Sequence, residues 1–186
     1  METLSIISGK FKNQKIQLVE DNRTKYTPSK VKNAIFSILE SKQPVKNTIF
    51  LDLCAGSGQM GLEALSRGAS FVTFVDISDK SIKALKKNVQ RLNVSDYVRI
   101  YKKDVLRFLK KPPETYDLIF IDPPFNEVLF HRIAKQLFNT TGIVKPGGRI
   151  ILESFKGYKN EKIEHYSVED NYSYSSVRIE ILKRKG

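Results

Sequence analysis

The chain has 186 residues, a net charge of +12, 40% hydrophobic residues, one cysteine and two histidines. That length suits one compact unit, and the excess of lysine and arginine favours a polyanionic partner, nucleic acid being the commonest, although solvated lysines from a compositional bias would give the same sum. One cysteine excludes an intramolecular disulfide and a cysteine-built zinc site. No HxxxH or CxxC spacing supports a metal, and no long apolar run or apolar leader is present; we expect a cytoplasmic, metal-free monomer away from membranes.

Residues 4–19 read as a hairpin, with Leu4–Ser8 and Lys15–Val19 flanking a turn region centred on Gly9. Thr27-Pro28-Ser29 resembles a helix start, followed by Val31, Ala34, Ile35, Ile38 and Leu39 at helical spacing. From there strands and helices alternate. Ile49–Leu53 is a nearly continuous apolar strand, and a glycine-rich turn leads into a helix around 59–67. Phe71–Asp76 is a strand ending in an acid, and Ser78 caps a helix bearing Ile82, Leu85, Val89 and Leu92. Tyr97–Tyr101 is the next strand, then Asp104 and a short turn through Phe108. Tyr116–Asp122 is another strand, and a helix over 127–138 leads to the Lys145–Gly148 turn and the strand Arg149–Glu153. Residues 162–169 and 176–183 are strand-like with no helix between them, joined by Asp170–Tyr174, so they must pair antiparallel. The pattern predicts an α/β, Rossmann-like class I methyltransferase fold: a seven-stranded mixed sheet, parallel with a C-terminal antiparallel hairpin, plus an N-terminal β-hairpin. We divide the chain into a basic hairpin extension over 1–26 and a catalytic core over 27–186 within a single methyltransferase domain.

Gly56-Ser57-Gly58-Gln59-Met60-Gly61 matches the dinucleotide fingerprint, and Asp76 lies near the spacing of a ribose-binding acid. A nicotinamide oxidoreductase is therefore the first rival. Against it stands Asp52, four residues before Gly56, because a carboxylate beside a diphosphate is repelled. The same carboxylate attracts the cationic amino-acid moiety of S-adenosylmethionine. On that reading the loop Asp52, Cys54, Ala55, Gly56, Ser57 and Gly58 holds the methionine and ribose portions. Asp76, with Ile77 beside it, accepts from the ribose hydroxyls, and Asp104, beside Val105, accepts from the adenine amine. A helix cap or a solvated loop would explain any one of these acids; three at successive strand ends favour the cofactor.

Asp122-Pro123-Pro124-Phe125 follows the apolar strand Leu118–Ile121. Methylating a base amine requires its lone pair to be drawn out of the ring and the base to be held in line with the methyl donor. Asp122 and the Pro123 carbonyl can accept the two amine N–H groups, the consecutive prolines stiffen the loop, and Phe125 can stack on the base. A proline-rich strand exit with Phe125 in the core is the plainer alternative. No cysteine stands where carbon-5 pyrimidine methylation would need one; Cys54 reads as a small apolar loop residue and His131 as non-catalytic. Lys10, Lys12, Lys15, Arg23, Lys25 and Lys30, with Lys32, form a basic module that could grip phosphates beside the target pocket, or simply be solvated. Tyr26, Tyr172 and Tyr174 could stack on RNA but read more simply as half-buried tyrosines.

Taken in order, Ile6-Ile-Ser-Gly-Lys-Phe, Thr27-x-x-x-Val31-x-x-x-Ile35-Phe36, Leu51-Asp-Leu-Cys-Ala-Gly-Ser-Gly-x-x-Gly-Leu-Glu-Ala-Leu-Ser-Arg-Gly-Ala69 and Asp122-Pro-Pro-Phe resemble the bacterial RsmD-like methyltransferases. The Leu62–Ala69 stretch is the most specific part, since cofactor binding does not demand it. The resemblance implies S-adenosyl-L-methionine as donor, S-adenosyl-L-homocysteine as product, and guanine N2 of 16S ribosomal RNA as acceptor, within a small-subunit assembly intermediate carrying ribosomal proteins. Lys25-Tyr26-Thr27 replaces the family's Arg-Pro-Thr, Asn33 stands in place of a Glu, and Tyr172-Ser-Tyr-Ser departs from its C-terminal pattern. Adenine-N6 methylation of DNA or RNA, and a non-catalytic RNA-binding assembly factor, are the other readings. A glutamine methyltransferase would carry Asn-Pro-Pro-Tyr instead.

Overall fold

The computed structural model describes residues 3–19, 26–123, 126–158, 163–174 and 177–186. Two short strands, β1 (Thr3–Ser5) and β2 (Lys15–Gln17), pair antiparallel and precede helix α1 (Ser29–Lys42). The chain then alternates through β3 (Ile49–Leu53), α2 (Gln59–Ser66), β4 (Phe71–Asp76), α3 (Asp79–Arg91), β5 (Val98–Lys102), α4 (Val105–Leu109), β6 (Tyr116–Ile121), α5 (Glu127–Asn139) and β7 (Val144–Phe155). It finishes with β8 (Tyr166–Tyr174) and β9 (Val177–Arg184).

The large sheet runs β5-β4-β3-β6-β7-β9-β8; β3 to β7 are mutually parallel, whereas β9 is antiparallel to both β7 and β8. The expected mixed sheet and separate hairpin are therefore both present. Strand alternation assigns the core. Phe50, Leu118, Phe120 and Ile151 face one layer with α1, α2 and α3; Leu51, Leu53, Ile119, Ile121, Ile150 and Leu152 face the other with α4 and α5. Because both faces are covered, the interior strands β3, β4 and β6 are nearly apolar throughout, which is why the sequence shows runs there rather than alternation.

Chain order reverses between β3 and β6: β4 and β5 build outward on one side of β3, while β6 and β7 build on the other. In open α/β sheets the carboxyl ends of the strands at such a reversal frame a crevice. Among the described residues no helix is long and apolar enough to cross a membrane.

Two expectations at the C-terminus need correction. Asp170–Tyr174 is not a connection but the second half of β8, with Tyr172 opposite Ile179 and Tyr174 opposite Val177. The register slips between Val168 and Asp170, where Glu169 pairs with Arg149 through two hydrogen bonds of 2.7 and 3.1 Å. Turn-type residues mask a strand here because every second residue from Asp170 to Tyr174 is half-buried; period 2 wins over composition. Likewise β7 begins at Val144, so the Lys145–Gly148 segment enters the sheet earlier than its Pro-Gly-Gly composition implied. Residues 162 and 176, the outer limits of the expected strands, lie outside the described residues.

The hairpin is held to α2 by polar contacts of long sequence separation. Glu63, fully buried, accepts from the backbone N–H groups of Ile7 (2.8 Å) and Ser8 (3.1 Å). It also pairs with Lys32 at 3.4 Å and Arg67 at 2.9 Å. Ser66 Oγ donates to the Ser8 carbonyl and accepts from Phe11 N–H at 2.9 Å, while its own carbonyl receives Lys10 N–H at 2.8 Å. Gly9 lies so close that a Cβ there would overlap the Ser66 carbonyl. The Leu62–Ala69 stretch is thus a clasp for the N-terminal hairpin, which accounts for residues that cofactor binding does not require. Lys32 is corrected accordingly: it is a buried ion-pair partner, not part of a phosphate-gripping surface.

Candidate active site

At the carboxyl ends of β3, β4, β5 and β6 the chain encloses a cleft of about 450 Å³. Four acids reach it, one from each strand exit: Asp52, Asp76, Asp104 and Asp122. Each is placed by its strand, so the successive-strand-end pattern in the sequence becomes a single constellation in space.

Asp52, near the end of β3, is almost fully buried, and its Oδ2 accepts from Gly61 N–H at 2.9 Å. Burial raises its carboxyl to about 8; the Gly61 hydrogen bond opposes that shift and the nearby Asp76 adds to it. Asp52 is therefore largely neutral at pH 7, and it repels a diphosphate less than the fully ionised carboxylate expected from the sequence. Asp76 accepts from Gly56 N–H and Ser78 N–H, both at 2.8 Å, and so ties the glycine loop to the exit of β4. Each of its oxygens keeps a further lone pair for a ligand hydroxyl. Asp104 caps α4 by accepting from Arg107 N–H at 3.0 Å, so the plain capping role and the cleft position hold together.

The loop between β3 and α2 owes its shape to left-handed backbone at Cys54 (φ 61°), Gly56 (φ 54°) and Gly58 (φ 82°). Cys54, Ala55, Gly56 and Ser57 all border the cleft. Gly58 does not; it precedes α2, and a Cβ there would press on the Leu85 side chain at 2.4 Å. Gly58 is thus required for packing against Leu85. At Gly61 a Cβ would likewise meet the Phe74 ring. Burial, then Asp76, Asp122, Asp52 and Asp104, push the Cys54 thiol well up, so it stays neutral and unreactive.

Ile77, 65% exposed, lines the cleft at the exit of β4, and Asp104 and Val105 line it at the exit of β5, so an apolar surface and an acceptor share it. Asp122 and Pro123, at the exit of β6, border the same cleft, as do Phe120, Leu129 and Ile133. Pro124 and Phe125, expected to complete the base-holding motif, lie outside the described residues, as do Arg23 and Lys25.

Lys10, Lys12, Lys15 and Lys30 are exposed, but none borders the cleft. The hairpin turn stands against the C-terminal end of α2, whose first residues meet the cleft; eight helical residues separate the two by roughly 12 Å. The turn is there because Glu63 and Ser66 hold it, not because it flanks a pocket.

Among the cleft residues not singled out from the sequence as cofactor or catalytic groups are Thr27, Gln59 and Tyr26. Thr27 borders the cleft and donates from Oγ1 to Glu153 at 3.1 Å. Gln59 opens α2 and donates from Nε2 to the Thr27 carbonyl at 2.6 Å. Tyr26, considered only for stacking on RNA, borders the cleft and donates its hydroxyl to the Val19 carbonyl at 2.8 Å. The available signal was Gln59, a long polar residue in the fingerprint at a position bordering the acid wall.

Residues 4–183 match the family described as conserved hypothetical protein 95. The ribosomal RNA small subunit methyltransferase D of Buchnera aphidicola subsp. Acyrthosiphon pisum is 34% identical over 175 residues, spanning 94% of this chain and 86% of that protein. Its namesake from Buchnera aphidicola subsp. Baizongia pistaciae is 35% identical over 127 residues, 68% of this chain and 64% of that protein. Among solved structures, yhhF from Escherichia coli, named as a candidate methyltransferase, shares the fold with a TM-score of 0.87 at 25% identity over 99% of each chain.

Proposed function

The chain belongs to this family, the RsmD-like methyltransferases, and from that footing we propose that it transfers a methyl group from S-adenosylmethionine to the exocyclic N2 amine of a guanine in small-subunit ribosomal RNA. The observation that carries the proposal is that Asp122 and Pro123 border the same cleft as Asp52, Asp76 and Asp104. An acceptor pair for an amine and an acidic cradle for a cationic nucleoside thus share one cavity.

The residues present fit the cofactor. Ser57 Oγ is a buried polar atom with no hydrogen-bond partner among the described residues, positioned in the glycine loop beside the cleft. A buried hydroxyl left without a partner costs about 1–3 kcal/mol, so a ligand polar group there is favoured. Ile77 would pack on the adenine, Asp104 and the Val105 backbone would meet its edge, and Asp76 would take the ribose hydroxyls. The bound sulfonium supplies an electrophilic methyl group. Asp122 would accept one amine N–H and the Pro123 carbonyl the other, leaving the nitrogen lone pair free of the ring and stabilising the positive charge that develops on it. The proton becomes acidic only after methylation, so no strong base is needed beside the amine. Phe125 would stack on the base. Lys10, Lys12 and Lys15 would contact phosphates away from the methyl-transfer point, with Lys30, Arg23 and Lys25 as further phosphate contacts, in keeping with a structured substrate in a ribosomal assembly intermediate rather than a free nucleoside.

Mapping methylated nucleosides in ribosomal RNA from cells lacking the gene, with and without complementation, tests the proposal. We expect one N2-methylguanosine to disappear and return. Methyl incorporation into adenosine instead would establish the adenine-N6 alternative; tight NADH binding without S-adenosylhomocysteine binding would establish an oxidoreductase.

Asp52 gives a separate prediction. Its carboxyl sits at about 8 in the free protein, and a bound α-ammonium group would lower it, so the complex holds fewer protons than the free protein below that value. Binding of S-adenosylhomocysteine near pH 7 should release most of a proton, and affinity should climb as pH rises toward 8 and then level off. Calorimetric titrations in buffers of differing ionisation enthalpy measure the release directly. A buffer-independent enthalpy at neutral pH would mean that Asp52 does not face the cation.

A further inference from the structure

Gln59 carries a buried polar atom with no part in the chemistry described so far. Its side chain borders the cleft and is 5% exposed. The Thr27 carbonyl can only accept, so the amide NH₂ must face it, and that bond is 2.6 Å long. The orientation of the amide is thereby set, leaving Oε1 buried with no hydrogen-bond partner among the described residues. Asp52 borders the same cleft, and its Oδ2 is held by Gly61, two residues after Gln59 in the first turn of α2. Two residues with acceptor oxygens, one of them a carboxyl group, therefore line the cleft, from β3 and from the start of α2.

A hydroxyl or a single N–H would satisfy one of them. An ammonium group has three donors and a positive charge, and so can satisfy both at once. We propose that Gln59 Oε1 is the second acceptor for the α-ammonium group of the cofactor's amino-acid moiety, shared with Asp52, and that it sets the preference for a donor bearing that group. The assignment rests on S-adenosylmethionine being the cofactor. Nε2 plays a different part. Its bond to Thr27 joins the start of α1 to the start of α2, so that the oxygen is held in place before the ligand arrives.

The test compares S-adenosylhomocysteine with the analogue lacking only its α-amino group, by calorimetric titration against the wild-type protein, Gln59→Met and Gln59→Glu. Wild type should favour the amino-bearing ligand by about 100-fold, and Gln59→Met should narrow that ratio by about tenfold, as expected for one charge-assisted hydrogen bond. Affinity for the analogue should be equal in these two proteins within a factor of about two, since it never meets Oε1. Gln59→Glu keeps an acceptor oxygen and adds charge but loses the donor to Thr27, so it should retain more of the ratio than Gln59→Met. An unchanged ratio in Gln59→Met overturns the assignment, as does an equal loss of both ligands, which would mark Gln59 as purely structural. Failure of the wild-type protein to bind S-adenosylhomocysteine would instead overturn the cofactor reading, and this assignment with it.

Discussion

An Asp122→Ala protein is expected to bind S-adenosylhomocysteine within a few-fold of wild type and to methylate its RNA about 10²–10³ times more slowly, the usual cost of deleting one electrostatic partner of a developing charge. Asp122 stands at the exit of β6, separated by β3 from the exits of β4 and β5 that carry Ile77 and Asp104, so its removal should leave the nucleoside end of the cleft intact. The loss should fall on the chemical step: the amine keeps the Pro123 carbonyl but loses the acceptor that draws its lone pair from the ring. Single-turnover methyl transfer with the substrate RNA in excess separates this from RNA affinity. Asp122→Asn is the sharper variant, because its amide oxygen can still accept but carries no charge. It should retain part of the rate that alanine loses. Wild-type turnover in the alanine variant would show that another group holds the amine.

The largest effect on stability is expected at Glu63. Its carboxylate serves Lys32, Arg67 and two backbone N–H groups of the hairpin, and both it and Lys32 have fully buried side chains. Burial lowers the Lys32 pKa while Glu63 raises it, so the charge on Lys32 depends on its partner. Glu63→Ala removes that partner and strands two N–H groups, which should cost about 3–5 kcal/mol. The corresponding fall in Tm is roughly 10 °C for a chain of this size. Adding Lys32→Met should recover part of the loss, because an apolar side chain needs no partner in that position. Hydrogen exchange should accelerate first at Ile7 and Ser8. A Glu63→Ala protein within about 1 kcal/mol of wild type, measured by denaturant unfolding, would mean that water or another group replaces the carboxylate.

These two residues also mark how far the sequence could be read. Asp122 was legible because a local pattern carries it: an apolar strand, an acid at its end, and prolines that stop pairing. Glu63 was visible only as part of a stretch more specific than cofactor binding requires, with no partner in sight. Its partners Ile7, Ser8 and Lys32 lie 31–56 residues away, and no local periodicity points to them. Gln59 was missed for the same reason, since its significance depends on Thr27, 32 residues upstream.

Local chemistry, then, was enough for the order of strands and helices, the α/β class, the acids at four strand ends and the glycine-rich turn between β3 and α2, because each depends on side-chain period, capping or backbone freedom within a few residues. Only the folded chain decided that Gly58 packs on Leu85, that Lys32 is buried against Glu63, that the basic turn lies at the far end of α2, and that Asp170–Tyr174 belongs to a strand. Each of those outcomes depends on which surface another segment happens to cover. Burial is a property of the assembled layers, and it changes what a lysine, an aspartate or a glutamine costs and can do.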